Sequence, residues 1–247
     1  MRNIFTIILV LAISFSGMSA NWVKIKSGNP VPAKTTLVNS TIDKSTVTFI
    51  LGGFYLNQVE TSRGVAFIPS VEEGTPILEA GAPDLPKLTS TLIIPDLAGM
   101  SAQVIASSFT DFPDMEIAPS KGNLLRTVDP ATVPYTYGDG YMNDRFYPAS
   151  LVSTRDPFIV RDLRGQTIIV SPFQYNPVTK ILRVYHEVTV ELVQENENGI
   201  NPLIRKDSEI RIEEEWAQIY SKEFMNFDAI TYTPLEEYGN LLIISHG

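Results

Sequence analysis

The sequence predicts an all-β fold, an antiparallel β-sandwich or barrel-like domain with one C-terminal α-helix. Short segments rich in β-branched and aromatic residues recur between residues 47 and 193, and Gly, Pro, Asp and Ser separate them. A convincing helical pattern occurs once, near the C-terminus. The chain has 247 residues, of which 44% are hydrophobic, including 12 Phe and 10 Tyr. This composition can fill the core of one large β-domain.

The longest predicted piece of sheet covers residues 155–193. In its second half the side chains alternate between apolar and polar, which is the period-2 pattern of a half-buried strand. The apolar positions are Leu182, Val184, Val188, Val190 and Leu192. Residues 175–180 include Asn176 and Pro177, which favour a turn. We therefore predict a hairpin in which residues 166–173 are the partner strand.

Further short strands are predicted along the rest of the chain. They cover residues 22–26, 47–51, 54–59, 65–68, 92–94, 102–106 and 159–161. Pro and Gly interrupt residues 112–157 too often for continuous strand, but five tyrosines favour ordered loops on the sandwich, because aromatic rings gain most from burial. These are Tyr135, Tyr137, Tyr141, Tyr147 and Tyr175.

The C-terminal region predicts a helix over residues 208–226. Ser208 can cap it, and acidic residues fall in its early turns, where the helix dipole favours them. Its expected apolar face consists of Ile212, Trp216, Ile219, Tyr220 and Phe224. The predicted domain thus covers residues 21–227, a polar linker follows at 228–240, and the apolar residues 241–247 are expected to be the first strand of a truncated α/β domain.

Residues 1–20 have the pattern of a secretory signal peptide. Arg2 precedes an apolar run at residues 4–15 and a small-residue exit at 16–20. The run is too short for a stable membrane anchor. We expect a secreted protein of the bacterial periplasm or cell surface. The absence of Cys excludes disulfides, thiolate metal sites and a cysteine nucleophile in this chain, and a net charge of −9 without a basic cluster argues against nucleic-acid binding.

The candidate catalytic and metal-ligating residues are few. His186 is expected on the inward face of its strand as a hydrogen-bonded core residue, and His246 has no cysteine to pair with. No G-x-S-x-G motif is present. Residues 138–144 (GDGYMND) lack the ligand spacing of a calcium loop and are expected to form a turn. We expect no catalytic residue, metal site or cofactor in this chain.

Three segments point to a family. They are GAPDLPKLT at residues 81–89, PSKGNLLRTVDP at 119–130, and QYNPVTKILRVYHEVTVEL at 174–192. In this order they resemble the N-terminal propeptide of gingipain-type cysteine peptidases (family C25), over residues 45–238. The resemblance implies a propeptide that helps a peptidase domain, in cis or in trans, to fold and blocks its active-site cleft. The full precursor would be a cysteine endopeptidase.

The resemblance also implies roles for individual residues. Arg126 would enter the specificity pocket of the peptidase as a substrate-like plug, with Leu125 and Lys121 as neighbouring contacts. From the residues alone, a solvated Arg in an exposed loop is the alternative. In Arg-specific relatives an Arg precedes the Tyr-Thr-Pro sequence at the processing site, whereas this chain has Thr231 before Tyr232.

Processing therefore requires either a peptidase of another specificity or a cut elsewhere, for instance after Lys222, Arg211 or Arg205. Two other functions remain open at this point. One is a free-standing secreted β-sandwich that binds or adheres through its Tyr-rich loops at residues 135–147. The other is a stand-alone peptidase inhibitor built from a detached propeptide.

Overall fold

A computed structural model of the chain describes residues 21–25, 32–41, 43–206 and 209–235. Within these residues it confirms the all-β fold with one α-helix. The strands are β1 Asn21–Lys24, β2 Lys34–Ser40, β3 Lys44–Ile50, β4 Gly53–Thr61, β5 Gly64–Ser70, β6 Thr75–Pro76, β7 Pro86–Ile93, β8 Gly99–Phe112, β9 Val152–Thr154, β10 Phe158–Val160, β11 Leu163–Val170, β12 Phe173–Asn176, β13 Ile181–Asn196, β14 Arg211–Glu213 and β15 Thr233–Leu235, and the helix is α1 Glu214–Glu223.

Strand β13 is the centre of the main sheet. It pairs antiparallel with β8 along one edge, and with β12 and then β3 along the other, while β2 lies beyond β3. The predicted alternation is confirmed, because the five apolar residues from Leu182 to Leu192 are at most 1% exposed. The strand therefore presents one face to the core and the other to solvent.

Two further sheets complete the sandwich. One has the order β10-β11-β7-β6, with β9 also paired to β11, and the other has the order β1-β4-β5. Residues of the three sheets meet in one hydrophobic core, to which Phe49, Phe54, Leu92 and Ile168 belong. The ring of Phe54 packs edge-to-face on Phe173, with 5.3 Å between the ring centroids.

The predicted hairpin is partly wrong. Of the predicted partner residues 166–173, only Phe173 pairs with β13, as the start of β12, whereas β11 pairs with β7 in the second sheet. Ser171 and Pro172 carry the chain from one sheet to the other. Proline has no N–H to donate, which favours the end of a hydrogen-bonded ladder at residue 172. An apolar run at residues 166–173 thus contains the end of one strand and the start of another.

The C-terminal helix is shorter than predicted. Helix α1 begins at Glu214, because the preceding residues form β14 and pair in parallel with β15. Ile212 is fully buried from this strand and not from a helix. Ile219 is 45% exposed, so it does not belong to the buried face, while Ser208 lies outside the described residues.

Residues 209–235, called the C-terminal module below, form a second, small hydrophobic core together with Leu163 of β11. Its buried members are Leu163, Ile212, Tyr220, Phe224 and Phe227. The Tyr220 hydroxyl lies 2.9 Å from Oδ2 of Asp162, and burial raises the pKa of Tyr220 to about 12.

The buried Asn226 joins this module to β7. Its amide oxygen accepts from Ile93 N at 2.7 Å and its amide nitrogen donates to Ile93 O at 2.9 Å. Residues 228–235, which the sequence places in a linker, therefore pack on the domain and include β15. The predicted leader at 1–20, the linker residues 236–240 and the apolar segment 241–247 lie outside the described residues.

Arg164 also links separate segments of the chain, and its side chain is fully buried. Its guanidinium donates to the carbonyls of Pro95, Ala98, Ile200 and Asn201, at distances of 2.6 to 2.9 Å. These bonds hold the segment that leads into the C-terminal module against the β7–β8 loop. In the described part of the chain, no helix is both long and apolar enough to cross a bilayer.

Candidate functional site

The candidate site is a loop whose base is fixed on one side by β5. Phe67 N donates to Glu116 O at 2.7 Å, and Ala118 N donates to Phe67 O at 2.9 Å. Ile117 and Ala118 are fully buried. The backbone that leads into the loop at residues 119–130 is therefore tied to a strand of the sandwich.

The other side of this segment is fixed by residues 81–84. Ser120 N donates to Ala82 O at 2.7 Å, and Gly81 N donates to Ser120 O at 2.9 Å. Gly81 has φ of 79°, and a Cβ atom there would lie 3.2 Å from Gly138, so this position requires glycine. Two of the sequence segments that indicate the family thus lie side by side at the base of the loop.

Tyrosine side chains hold the irregular region beneath this base. The Tyr141 hydroxyl donates to Ile117 O at 2.9 Å, and the Tyr175 hydroxyl donates to Met115 O at 2.9 Å. Burial raises the pKa of Tyr141 and raises that of Tyr175 to about 12. The prediction of ordered loops in this region is confirmed.

Tyr137 extends the cluster outward. Its hydroxyl lies 2.9 Å from Thr61 Oγ1, and the Arg63 guanidinium lies 3.9 Å from the centroid of its ring. Tyr147 donates to Glu79 at 2.8 Å. The hydroxyl groups of these tyrosines form hydrogen bonds within the chain. This weakens the alternative in which the protein binds partners through its Tyr-rich loops.

Lys121 closes the loop at its base. Its Nζ donates to Pro130 O at 2.7 Å and lies 4.2 Å from the centroid of the Tyr135 ring. Asp129 caps the following turn by accepting from Ala131 N at 2.9 Å. The ammonium of Lys121 is therefore bound within the chain, at a position where the sequence predicts a contact to a peptidase.

Arg126 lies at the tip of the loop. Val128 N donates to Leu125 O at 2.9 Å, so Arg126 and Thr127 are the central residues of a β-turn. Leu125 is 75% exposed and Arg126 is exposed as well. Within the described residues, the Arg126 guanidinium has neither a hydrogen bond nor an ion pair. Its charged group is thus available to a partner.

The predicted processing residues lie in the C-terminal module. Thr231 is exposed, and Tyr232 packs on Phe227 with 5.3 Å between the ring centroids. Thr233 N donates to Ile210 O at 2.8 Å, and Ile230 N donates to Phe227 O at 3.1 Å. The chain is held on both sides of the Thr231–Tyr232 bond.

A cavity of about 420 Å³ adjoins Thr231. Ile93, Ile230 and the ion pair of Asp96 with Arg205 contribute to its lining, and the Asp96–Arg205 contact measures 2.5 Å. The sequence did not predict this cavity, because its walls come from segments that are far apart in the chain.

The residues considered for catalysis and metal binding are placed elsewhere. His186 lies at a bulge in β13, where it is half-buried and not fully inward as predicted, and its Nδ1 lies 3.1 Å from Ser108 Oγ. His246 is outside the described residues. In residues 138–144, Asp144 accepts from Asn176 at 2.8 Å. The described residues contain no cluster of metal-ligating side chains.

Comparison with protein families identifies similar chains. Residues 26–233 match the model of the Propeptide_C25 family. Gingipain R2 of Porphyromonas gingivalis is 37% identical over 243 residues, which cover 97% of this chain and 32% of that protein. Lys-gingipain of the same organism is 24% identical over 196 residues, which cover 75% of this chain and 11% of that protein. The chain thus spans about a third of gingipain R2 and a smaller share of Lys-gingipain.

Solved structures show the same fold. A chain from a complex of the Porphyromonas gingivalis RgpB pro- and mature domains superposes with a TM-score of 0.75 at 37% identity, covering 82% of this chain and 100% of that one. A chain from a study of zymogenic latency in gingipain K of the same organism has a TM-score of 0.60 at 22% identity, covering 71% and 100%. The second likeness supports the fold alone.

Proposed function

Because this chain belongs to the Propeptide_C25 family, we propose that it is the propeptide of a gingipain-like cysteine endopeptidase and inhibits the peptidase domain by covering its active-site cleft. It also assists the folding of that domain, in cis or in trans. The observation that supports the inhibition best is the Arg126 turn. It presents a basic side chain that has no partner among the described residues, at the tip of a loop that is closed at its base.

The chemistry of an arginine plug is favourable. A guanidinium offers a planar set of donors that fits a carboxylate in two parallel hydrogen bonds, and such bonds strengthen when water is excluded. Exposed Leu125 beside it adds apolar surface at the contact. An interface of about 800 Å² on each partner is the usual size for inhibitor complexes and would cover a cleft.

The test is inhibition of a mature peptidase by the chain without residues 1–20. We expect it to inhibit mature gingipain R2 competitively. Arg126→Ala should weaken inhibition by about 2 to 5 kcal/mol, which is about 30-fold or more in the inhibition constant, because the pocket carboxylate would stay buried without its partner. Arg145→Ala, which changes an exposed arginine in another loop, should leave the constant unchanged.

Two results would contradict the proposal in different ways. Equal inhibition constants for the parent chain and Arg126→Ala would exclude the plug while leaving an inhibitor. Failure to inhibit both gingipain R2 and Lys-gingipain at micromolar concentration would exclude the inhibitory function. A stand-alone inhibitor would also be weakened by Arg126→Ala. The propeptide and the stand-alone inhibitor differ only in whether the peptidase is part of the same precursor.

Secretion and processing belong to the same proposal. Residues 1–20 direct export to the periplasm or cell surface, and they are removed. The precursor is then cut at Thr231–Tyr232 or after Lys222 or Arg211 in the C-terminal module, or after Arg205, which precedes the module. The Tyr-Thr-Pro sequence and the exposure of Thr231 support the first site. N-terminal sequencing of the secreted products identifies both cuts, and a product that still begins at Met1 would contradict the leader.

A further inference from the structure

We propose that Lys121 is a positioning residue, which holds the loop at residues 121–130 closed so that Arg126 is presented without the Arg126–Thr127 bond being cut. This inference rests on the proposed function, because it concerns the loop that is proposed to enter the cleft. The family resemblance implies that Lys121 contacts the peptidase. Its contacts within the chain indicate a different role.

The ammonium of Lys121 joins the two ends of the loop. It donates to Pro130 O at 2.7 Å, and the same carbonyl accepts from Val133 N at 3.3 Å. The Tyr135 ring lies 4.2 Å from Nζ, on the chain that leaves the loop. Hydrogen bonds from a charged donor are stronger than neutral ones, and cation–π contact adds to this one. One side chain thereby spans the base of the loop.

Gly122, the next residue, fits closely against the chain beneath it. Gly122 has φ of 78°, and a Cβ atom there would lie 2.9 Å from the Cβ of Ala80. Gly122 N donates to Ser120 Oγ at 3.2 Å. These contacts fix the entry to the loop, while Asp129 fixes the exit by capping the next turn. Lys121 is the side chain that connects the entry to the exit.

The tip itself has little apolar support. Leu124 is half-buried, and Leu125, Arg126 and Thr127 are exposed. The turn at residues 125–128 is closed by one backbone hydrogen bond of 2.9 Å. The shape of the tip therefore depends on the closure of the base more than on burial.

This shape matters because peptidases bind the segment around the cleaved bond in an extended form. A β-turn centred on Arg126 and Thr127 exposes the arginine side chain but bends the backbone at the bond that follows it. Cleavage requires the loop to open. Without Lys121 the loop loses its side-chain link between entry and exit and opens more often, so the segment becomes a better substrate.

The test is the rate of cleavage after Arg126 by the arginine-specific endopeptidase clostripain, followed by mass spectrometry on the chain without residues 1–20. We expect Lys121→Met, which keeps the chain length but lacks a donor, to be cut about tenfold faster than the parent. Lys121→Arg, which keeps a cation and donors, should be cut after Arg126 at close to the parental rate. Lys180→Met removes an ion pair of 3.1 Å with Glu116 and is the control.

A second readout separates positioning from direct contact. With mature gingipain R2, Lys121→Met should inhibit at first and lose inhibition as the loop is cut, whereas Arg126→Ala should be weak from the start. Equal clostripain rates for the parent and Lys121→Met would overturn the role of Lys121 whether or not any gingipain is inhibited. Faster cutting of Lys180→Met to the same extent would also overturn it, because the effect would not be specific to the loop base.

Discussion

The Arg126 loop and the C-terminal module both contain a bond that we propose a peptidase encounters, but different interactions hold them. The loop relies on polar contacts at its base, above all the bond of 2.7 Å from Lys121 to Pro130 O. The module packs around a small apolar core that it shares with Leu163 of β11, and Tyr220 and Phe224 are buried in it. Its Thr231–Tyr232 bond lies between two anchored stretches of chain.

This difference predicts how the two regions respond to mutation. A loop shaped by a few polar contacts at its base can be changed with little effect on global stability, because almost no apolar surface is buried under its tip. A segment anchored by aromatic packing loses several kcal/mol when one ring is removed. Measurements that compare the two regions directly can therefore confirm or contradict the assignment.

The largest effect is expected for Phe224→Ala. Phe224 is 2% exposed and packs on Tyr220 with 6.0 Å between the ring centroids. A Cβ atom on Gly165 would lie 2.4 Å from the Phe224 ring, so the space around it is filled. We expect urea unfolding to show a loss of about 3 to 5 kcal/mol. Ile219→Ala, on the exposed side of the same helix, should cost less than about 0.5 kcal/mol. Similar losses for both would contradict the described core.

The next effect is expected for Tyr141→Phe, beneath the loop. Removing the hydroxyl leaves the buried Ile117 carbonyl without its donor at 2.9 Å, so we expect a loss of about 1 to 2 kcal/mol in the same unfolding assay. Tyr55→Phe is the matched control, since no hydrogen bond of the Tyr55 hydroxyl occurs within the described residues. If both substitutions are neutral, the hydrogen bond is not part of what holds the loop base.

A smaller effect is expected on cleavage of the C-terminal module. Thr231→Arg creates a site for an arginine-specific endopeptidase, and adding Tyr232→Ala removes the ring contact of 5.3 Å to Phe227. We expect the double variant to be cut after residue 231 about fivefold faster, because proteolysis follows the population of the opened segment. Lys121→Met in the Thr231→Arg background should leave this rate unchanged. If Lys121→Met and Tyr232→Ala both made cleavage after residue 231 faster, the two regions would open together.

The smallest effect concerns pH and Asp84, which lies in the segment that supports the loop. Burial raises the pKa of Asp84 above its usual value. The folded state then binds the proton more tightly than the unfolded state, so the stability it contributes is present at low pH and lost as pH rises through the folded pKa. Asp84→Asn should remove this dependence.

The stability that Asp111 contributes depends on pH in the opposite direction, because the hydrogen bond from Arg183 lowers the pKa of this carboxyl. For this reason the measurement is the difference in unfolding free energy between the parent and Asp84→Asn, taken from pH 4 to pH 7. The difference should grow in favour of Asp84→Asn as pH rises. A constant difference would contradict a raised pKa at Asp84.

Local patterns predicted part of this structure, and non-local pairing decided the rest. The alternation in β13 was correct because a period of two depends on adjacent residues alone. The partner of β11 is β7, and no local signal at residues 166–173 indicates which sheet a strand joins. The start of α1 was missed because β14 depends on β15, which comes after the helix.

The site was predictable to a similar degree. Gly and Pro around Arg126 indicate an exposed loop, and the family resemblance identifies the loop to consider. The bond from Lys121 to Pro130 could not be predicted, because the two residues are brought together by an irregular chain without periodicity. The role of Thr231 and Tyr232 as processing residues stays a prediction.

The hydrogen bonds of Ser120 with residues 81–82, and of Ala118 with Phe67, have a consequence for the timing of latency. The platform under Arg126 assembles from separate stretches of chain, so it exists only after long-range contacts have formed. A partly folded or misfolded propeptide has no such platform and cannot present the turn. The propeptide would then begin to inhibit only when the sandwich has folded completely. A propeptide that fails to fold would not inhibit the peptidase.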